Sequence, residues 1–302
     1  MTHTPRQINQ GLWLGLLGIV IFSVTLPMTR MAVGTPELPQ MSGLFIAMGR
    51  AVVAAVLSIA FLVASRAPLP QRADWLPLAI TSAGVVFGFP LFTSIAMRYV
   101  QAMHASVIVG VLPLATAGVG ALLHRQRPSI GFWVFAALGS ALVVAFALSQ
   151  GSSGVATQGV SVHGADLLLL AAMLCAAVGY GYGGRLSHHM RAEHVICWAS
   201  VLALPLTLPI AAYSLPRETL QPHAWWGFAY LAVFSMWIGF FAWYRGLALG
   251  GTVRVSQVQL VQPFLSMLFA VPLLGEHLDA VTVGFGLAVI ATVFVGKKMP
   301  VR

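Results

Sequence analysis

The chain has 302 residues, of which 59% are hydrophobic and only 8% are charged, with a formal net charge of +9. A soluble domain usually carries about 25% charged residues, so this composition excludes a water-soluble globular protein. Its apolar runs are continuous rather than alternating, which excludes a transmembrane barrel, and its two cysteines do not suggest a disulfide framework. The composition therefore predicts an all-α membrane protein.

Ten apolar segments approach the length of about 20 residues that a helix needs to cross a bilayer. The first five predicted spans are Leu12–Met28, Met41–Ala64, Trp75–Met97, Ala102–Leu123 and Ile130–Leu148. The second five are Leu167–Gly184, Val195–Tyr213, Ala224–Leu247, Val255–Leu274 and Val281–Val295. The Gly- and Ser-rich segment 149–166 suits a flexible linker, so the predicted units are residues 1–148 and 167–302.

The basic residues are distributed unequally between the two sides of the membrane. With a cytosolic N-terminus, twelve of the sixteen lie in cytosolic segments, whereas Arg30, Arg98 and Arg217 lie outside and Arg50 lies within a span. Cytosolic loops are normally enriched in Lys and Arg, so we expect both termini in the cytosol and a periplasmic linker. The high charge thus indicates orientation in a membrane, and no nucleic-acid partner is expected.

The two halves resemble each other at a constant offset of 150 residues. The matched pairs are Trp75 with Trp225, Ala79 with Ala229, Ser106 with Ser256, and Pro113 with Pro263. Five is an odd number of spans, so the second half must enter the membrane in the opposite orientation. Inverted repeats of this kind are typical of secondary transporters, whose substrate site lies near the midplane between the repeats.

Several of these features resemble the drug/metabolite transporter superfamily, specifically its EamA-type branch. They are the ten spans, the paired prolines, the sequences Gln262-Pro263 and Leu274-Gly275-Glu276, and Arg50 within Ala47-Met48-Gly49-Arg50. The first half departs from the family pattern, because it reads Leu123-His124-Arg125-Gln126-Arg127 where a Gly-Glu pair is expected. The resemblance implies a carrier of small metabolites, often an amino-acid exporter, in the bacterial inner membrane.

Arg50 is the first candidate for substrate binding. An arginine at mid-bilayer costs roughly 2.5–3.5 kcal/mol on insertion scales, so it must face protein or water. It could bind an anionic group of the substrate, or serve structurally by bonding helix carbonyls. All seven acidic residues fall in predicted loops or at span ends, so coupling through a carboxylate at mid-membrane is disfavoured. A proton-coupled mechanism would need His104, an end carboxylate such as Glu276, or the substrate itself.

Span nine carries the second group of candidates on one helical face: Ser256, Gln259, Gln262, Pro263 and Ser266. Their amides and hydroxyls would be unsatisfied in lipid, so this face should point inward, either to bind substrate or to join helices. Matched prolines in spans four and nine predict kinks.

Aromatic residues and His104 complete the candidates. Tyr180 and Trp237 could stack on a substrate or hold a cation by the ring face, whereas Trp13, Trp225, Trp226, Trp243 and Tyr244 are expected to be interfacial anchors. The glycines around Tyr180 and in span three are expected to permit close helix packing. His104, near the outer end of span four, is either a packed histidine or a pH-sensitive gate.

The sequence therefore predicts a secondary transporter that moves a small polar metabolite outward by alternating access, most simply an amino acid or a similar zwitterion. Export of lipophilic or quaternary cations is the alternative within transport, and a membrane-embedded enzyme or a scaffold lies outside it. An enzyme is disfavoured, since neither an H-E-x-x-H motif nor a phosphate-binding G-x-x-x-x-G-K-[ST] loop occurs. No cofactor or metal is expected, and the oligomeric state stays open.

Overall fold

The structure is a computed structural model that describes residues 5–123, 129–151, 162–251 and 255–297. The first-half helices are span one, Pro5–Ser23 and Thr25–Val33; span two, Gly43–Ala64; span three, Trp75–Thr81, Ser82–Gly88 and Phe89–Ala96; span four, Ala102–Val109 and Leu112–Leu123; and span five, Ile130–Gly151. The second-half helices are span six, Val162–Leu186; span seven, Ala192–Tyr213; span eight, Pro222–Tyr230, Leu231–Ile238 and Gly239–Gly250; span nine, Ser256–Val261 and Gln262–Leu274; and span ten, Ala280–Lys297.

These helices confirm the predicted all-α membrane fold. In the described ranges, seven helices are long and apolar enough to cross a bilayer, and two shorter apolar helices cover Val258–Leu274 and Ala280–Thr292. Span five adds a further apolar helix of 22 residues. Spans five and six also extend into the predicted linker, since one ends at Gly151 and the other begins at Val162.

The helices pack in pairs that relate the two halves by a pseudo-twofold axis. Span one packs against span eight, and correspondingly span six packs against span three, while spans two and seven pack against each other. The last pair are equivalent spans of the two halves, and they run antiparallel: Met48 clusters with Ala211, whereas Ser65 near the other end approaches His194. Equivalent helices in opposite orientation are what inverted repeats require, so this prediction is confirmed.

Glycines allow the closest of these helix pairs to form. A Cβ added to Gly84 of span three would lie 2.5 Å from the carbonyl oxygen of Cys175 and 2.9 Å from the amide nitrogen of Gly179 in span six. Likewise, a Cβ on Gly246 of span eight would lie 2.8 Å from the amide nitrogen of Gly15 in span one. Because lipid offers no hydrophobic drive for association, such backbone-to-backbone packing is a main source of helix affinity.

Two aromatic residues of span eight lie in the protein interior rather than at the membrane interface. Trp243 and Tyr244 are fully buried, so the prediction that they are interfacial anchors is wrong. Nearby glycines leave room for both side chains in the interior. A Cβ on Gly183 would collide with the ring of Tyr244, and Gly18 leaves a similar space beside Trp243. Trp13, Trp225 and Trp226, in contrast, are exposed as predicted.

Four spans contain interruptions at equivalent places in the two halves. Spans three and eight each contain a π-helical segment, Ser82–Gly88 and Leu231–Ile238, about 150 residues apart. Span four is broken at residues 110–111, just before Pro113, and span nine passes through the 3₁₀ turn Ser256–Val261 just before Pro263. The predicted kinks at the paired prolines are therefore confirmed, whereas the π-helical segments have no signal in the sequence. Such segments are frequent at functional sites.

Span one ends at one surface of the membrane, and we call this surface the far side. There Arg30 donates hydrogen bonds to the carbonyl oxygens of Met97 and Arg98, and Arg98 donates to those of Val33 and Met41. The guanidinium groups thus satisfy carbonyls at the ends of spans three and one, where a helix C-terminus favours a cation.

Glu276 makes a complementary contact on the far side. Its two carboxylate oxygens accept hydrogen bonds from the backbone amides of Ala102 and Met103, at 2.7 and 2.9 Å. These amides begin span four, so a carboxylate from the end of span nine caps a helix of the other repeat. A negative group at a helix N-terminus is stabilising.

We expect Glu276→Ala to lower the free energy of unfolding by about 0.5–2 kcal/mol, the usual effect of removing a helix cap. Thermal unfolding of the detergent-solubilised protein measures this, with Glu218→Ala as the control because Glu218 is exposed on a far-side loop. Equal melting temperatures for the two variants would show that the cap contributes nothing.

Candidate functional site

A small cavity lies at the centre of the molecule, where both repeats meet. Its lining consists of Phe22, Thr25, Arg50, Val85, Phe89, Leu112, Tyr180, Ser235, Phe240 and Gln262. These residues come from spans one, two, three, four, six, eight and nine, and both π-helical segments contribute one wall residue each, Val85 and Ser235. The volume open to the centre of a water molecule is about 10 Å³, enough for about one water. A metabolite can therefore enter only after the surrounding spans move apart.

Arg50 is the only charged residue in this lining. Its side chain is 2% exposed, and its Nη2 donates a hydrogen bond of 2.9 Å to Ser235 Oγ, which is 2.9 Å from Thr25 Oγ1. Among the described residues, which include all seven acidic ones, no carboxylate pairs with Arg50, and its Nε has no hydrogen-bond partner. A buried cation without a counter-ion is costly, so this site is suited to receive an anionic group.

Aromatic rings form much of the remaining wall. Tyr180 stacks on Phe22 with ring centroids 6.4 Å apart, and it also contacts Phe240 and Trp243. Gln262 adds an amide to this largely apolar surface. The cavity thus combines one cation and a few neutral polar groups with apolar walls, which is the usual composition of a small-molecule site.

The polar face of span nine points inward, as predicted, but its members do different things. Gln262 lines the cavity, whereas Ser266 Oγ donates to the carbonyl oxygen of Ser23 and so joins span nine to span one. Gln259 is buried, and neither its Nε2 nor its Oε1 has a partner among the described residues. The side chain of Ser256 lies outside the described residues.

Two predicted site residues lie away from the cavity. Trp237 packs against Phe241 and Phe61, with ring centroids 4.8 and 6.1 Å away, on the side of span eight that faces spans two and seven. His104 lies near the far side, where its Nε2 is 2.6 Å from Asp166 Oδ1. The structure therefore brings together Arg50, Tyr180 and Gln262, and leaves Trp237 and His104 outside this group.

Ser235 and Thr25 are functional candidates that sequence reasoning missed. Each carries a small hydroxyl within an apolar span, and neither belongs to the polar face of span nine or to the matched pairs of the two halves. A signal did exist for Ser235, because a polar residue deep in a span needs a hydrogen-bond partner. Arg50, as a charged residue within a span, needs such partners most.

A second and larger space opens at the far side, with a volume of about 650 Å³. Arg30, Gln40, Gln101, His223, Glu276 and His277 contribute its polar lining. It shares no lining residue with the central cavity. One turn of span one separates the two spaces, and its residues Leu26 and Thr29 are buried.

Comparison with known proteins identifies the chain at the family level. Residues 9–155 and 163–296 each match the pattern of the EamA-like transporter family. The uncharacterized transporter YdeK of Bacillus subtilis is 41% identical over 286 residues, which cover 94% of this chain and 96% of that protein. The uncharacterized transporter YyaM of the same organism is 22% identical over 192 residues, or 61% of each chain.

A solved crystal structure of another protein matches with a TM-score of 0.64 and 17% sequence identity, covering 95% of this chain and 98% of its own. At that identity the likeness shows the fold alone. The double family match follows the two five-span repeats, and the identity to YdeK extends over nearly the whole chain. These findings indicate a transporter rather than an enzyme, and the chain belongs to the EamA-like transporter family.

Proposed function

We propose that this protein carries small amino acids with apolar side chains, or closely similar zwitterions, across the membrane by alternating access. The observation that supports this proposal most directly is the buried guanidinium of Arg50, which lines the central cavity without a carboxylate partner among the described residues. A substrate carboxylate would offset the cost of that buried charge through charge-assisted hydrogen bonds.

The rest of the cavity suits the other parts of such a substrate. Phe22, Phe89 and Phe240 offer apolar surface to a side chain. An ammonium group would find the amide oxygen of Gln262 and the ring face of Tyr180, which can hold a cation without a formal negative charge. A lipophilic cation fits less well, because the one charge in the lining has the same sign.

The proposed direction is export from a bacterial cytosol across the inner membrane. The excess of basic residues in the segments on the side where span one begins supports a cytosolic location for that side. The far side would then face the periplasm. The small volume of the central cavity supports an occluded state in the proposed alternating-access cycle.

Counterflow into proteoliposomes tests this proposal. Vesicles containing purified protein and an unlabelled amino acid, such as leucine, receive labelled leucine, its amide, its decarboxylated amine or a quaternary cationic dye. We expect accumulation of the amino acid and little of the other three, because only the amino acid carries a carboxylate. Equal accumulation of the amine or the dye would contradict the proposal and favour cation export.

We expect Gln262→Leu to weaken substrate affinity by about tenfold while leaving the protein folded, because a hydrogen bond to a charged group contributes roughly 1.5–3 kcal/mol. Substrate-induced thermal stabilisation measures the change. Gln101→Leu is the matched control, since Gln101 lies on the far-side loop and not in the central cavity. Unchanged affinity in Gln262→Leu would remove this amide from the binding site.

A further inference from the structure

The larger space at the far side, which we call the far-side cavity, is lined by residues of both repeats. Of the described residues in its lining, only Arg30 and Glu276 carry a permanent charge, and the other polar groups are amides, a hydroxyl and two imidazoles. Arg30 belongs to span one of the first repeat, whereas Glu276 follows span nine of the second. The volume of about 650 Å³ lies within the usual range of small-molecule sites, roughly 300–1,000 Å³.

Arg30 has hydrogen-bond donors that are not in use. Its Nη1 donates to the carbonyl oxygens of Met97 and Arg98, at 2.7 and 2.6 Å, and these two bonds hold the guanidinium group in place. Its Nε and Nη2 make no hydrogen bond to a described residue, and neither atom is fully enclosed by protein. The planar guanidinium group can therefore present two further donors to a carboxylate.

Glu276 provides the opposite charge, also in a fixed position. Its carboxylate oxygens accept hydrogen bonds from the backbone amides of Ala102 and Met103, and each oxygen can accept a further one. The charges of Glu276 and Arg30 are near enough to attract each other, but among the described residues no direct ion pair joins them. The cavity thus holds a cation and an anion apart, and a ligand with neighbouring opposite charges can satisfy both.

The far-side cavity lies next to the central cavity on a route out of the protein. One turn of span one separates the two spaces, and this turn follows a break in the helix at Val24. Pro27 has no amide hydrogen, so the carbonyl oxygen of Ser23, four residues earlier, accepts instead from the hydroxyl of Ser266 at 2.8 Å. Such an interruption is a place where a helix bends. A substrate that leaves the central cavity towards the far side would therefore enter the far-side cavity next.

We propose that the far-side cavity is a second substrate site, in which Arg30 binds the carboxylate and Glu276 binds the ammonium group of a zwitterionic amino acid during export. The inference rests on the proposed export of amino acids, and it adds a site of release to the central site. Unlike the central cavity, the far-side cavity offers the ammonium group a full negative charge. Because it is open to water, solvent screens both charges and binding should be weak.

Protection of a thiol from labelling tests this inference in the purified, detergent-solubilised protein. In a background with Cys175→Ala and Cys197→Ala, Met31→Cys places a thiol in the lining of the far-side cavity. A maleimide is applied at about pH 7.5, where most histidine is neutral, together with leucine, leucinamide or N-acetylleucine. We expect leucine to slow labelling about fivefold or more, with half-maximal protection at about 1–10 mM. Leucinamide lacks the carboxylate and N-acetylleucine lacks the ammonium group, so neither should protect.

Two substitutions locate the protecting molecule. Glu276→Gln keeps an oxygen that can cap span four but removes the charge, so half-maximal protection should need about tenfold more leucine. Arg50→Gln should abolish the carboxylate preference of counterflow but leave the protection of Met31→Cys unchanged. Glu218→Cys is the control thiol, because it is exposed on a far-side loop outside the cavity lining, and leucine should not protect it.

The labelling rate without leucine shows whether Glu276→Gln keeps the shape of the cavity, since it should equal that of the parent protein. If the two rates differ, the comparison of leucine with leucinamide and N-acetylleucine in the parent protein still decides, because it needs no substitution in the cavity beyond the thiol.

The inference is overturned if leucine does not slow the labelling of Met31→Cys, or if leucinamide and N-acetylleucine slow it equally. It is also overturned if Arg50→Gln abolishes the protection while Glu276→Gln keeps it, because the protection then originates in the central cavity. Failure of the proposed function has a different result. Protection without leucine counterflow would contradict amino-acid transport but not the far-side site, whereas leucine counterflow without protection would contradict only the far-side site.

Discussion

Arg50→Gln should abolish the preference for substrates that carry a carboxylate. Removing one partner of a buried, hydrogen-bonded charge pair typically costs about 2–5 kcal/mol, which corresponds to a loss of roughly 30-fold or more in affinity. The effect should appear in the ratio of leucine to leucinamide counterflow, which falls towards one in the variant. Arg50→Lys should keep part of the preference, because it retains the charge but not the planar fork of donors.

Stability measurements separate this role of Arg50 from a structural one. A buried cation without a counter-ion costs free energy in the empty protein, so its replacement by the neutral glutamine should leave the melting temperature unchanged or raise it. If Arg50 had a structural role instead, its replacement would lower the melting temperature and reduce the amount of folded protein. Arg72→Gln is the control for expression and charge, since Arg72 is exposed outside the apolar part of span three. A lowered melting temperature together with intact selectivity would refute the assignment of Arg50 to the substrate.

Substitutions at the close helix crossings should have the largest effects on stability. We expect Gly84→Ala and Gly246→Ala each to destabilise the protein by about 1–3 kcal/mol, the usual cost of overpacking. In both cases the added methyl would meet backbone atoms of the facing helix within 3 Å, and backbone cannot move aside as a flexible side chain can. The melting temperature in detergent measures the effect.

The matched control is Gly118→Ala, because a Cβ at Gly118 would meet no atom within 4 Å in the described structure. There the substitution should be neutral or slightly stabilising, since alanine favours a helix by up to about 1 kcal/mol over glycine. Similar melting temperatures for all three variants would show that the crossings between spans one and eight and between spans three and six tolerate more separation than the structure indicates.

The membrane fold could be predicted from sequence because the hydrocarbon of the bilayer offers no hydrogen-bond partners to the backbone. Long apolar runs must be helices, and an odd number of spans in each repeat must invert the second. The depth of Arg50 also required an interior position, and the structure confirms this. The break before Pro113 and the turn before Pro263 follow from the missing backbone donor of proline.

Other features depend on tertiary contacts that no local pattern encodes. Trp243 lies near a span end, where aromatic residues usually meet the interface, but the space left by Gly18 draws it inside. The partnership of Arg50 with Ser235 depends on the packing of spans two and eight, which are separated by 185 residues. Trp237 looked the better cavity aromatic from its depth in span eight, but the arrangement of the helices places Tyr180 in the cavity lining and Trp237 outside it.

The carboxylate of Glu276 has a consequence for the energetics of the whole transport cycle. If the two inverted repeats were identical, the conformation open to one membrane face and the conformation open to the other would have the same free energy. A twofold rotation would convert one conformation into the other. Here one unit ends span nine with Leu274-Gly275-Glu276, while the other reads Leu123-His124-Arg125 at the corresponding place. The contact of Glu276 with span four thus has no acidic equivalent in the sequence of the other unit. If the carrier works by alternating access as proposed, we expect this inequality to give it a preferred facing direction before any ion gradient or cargo acts on it.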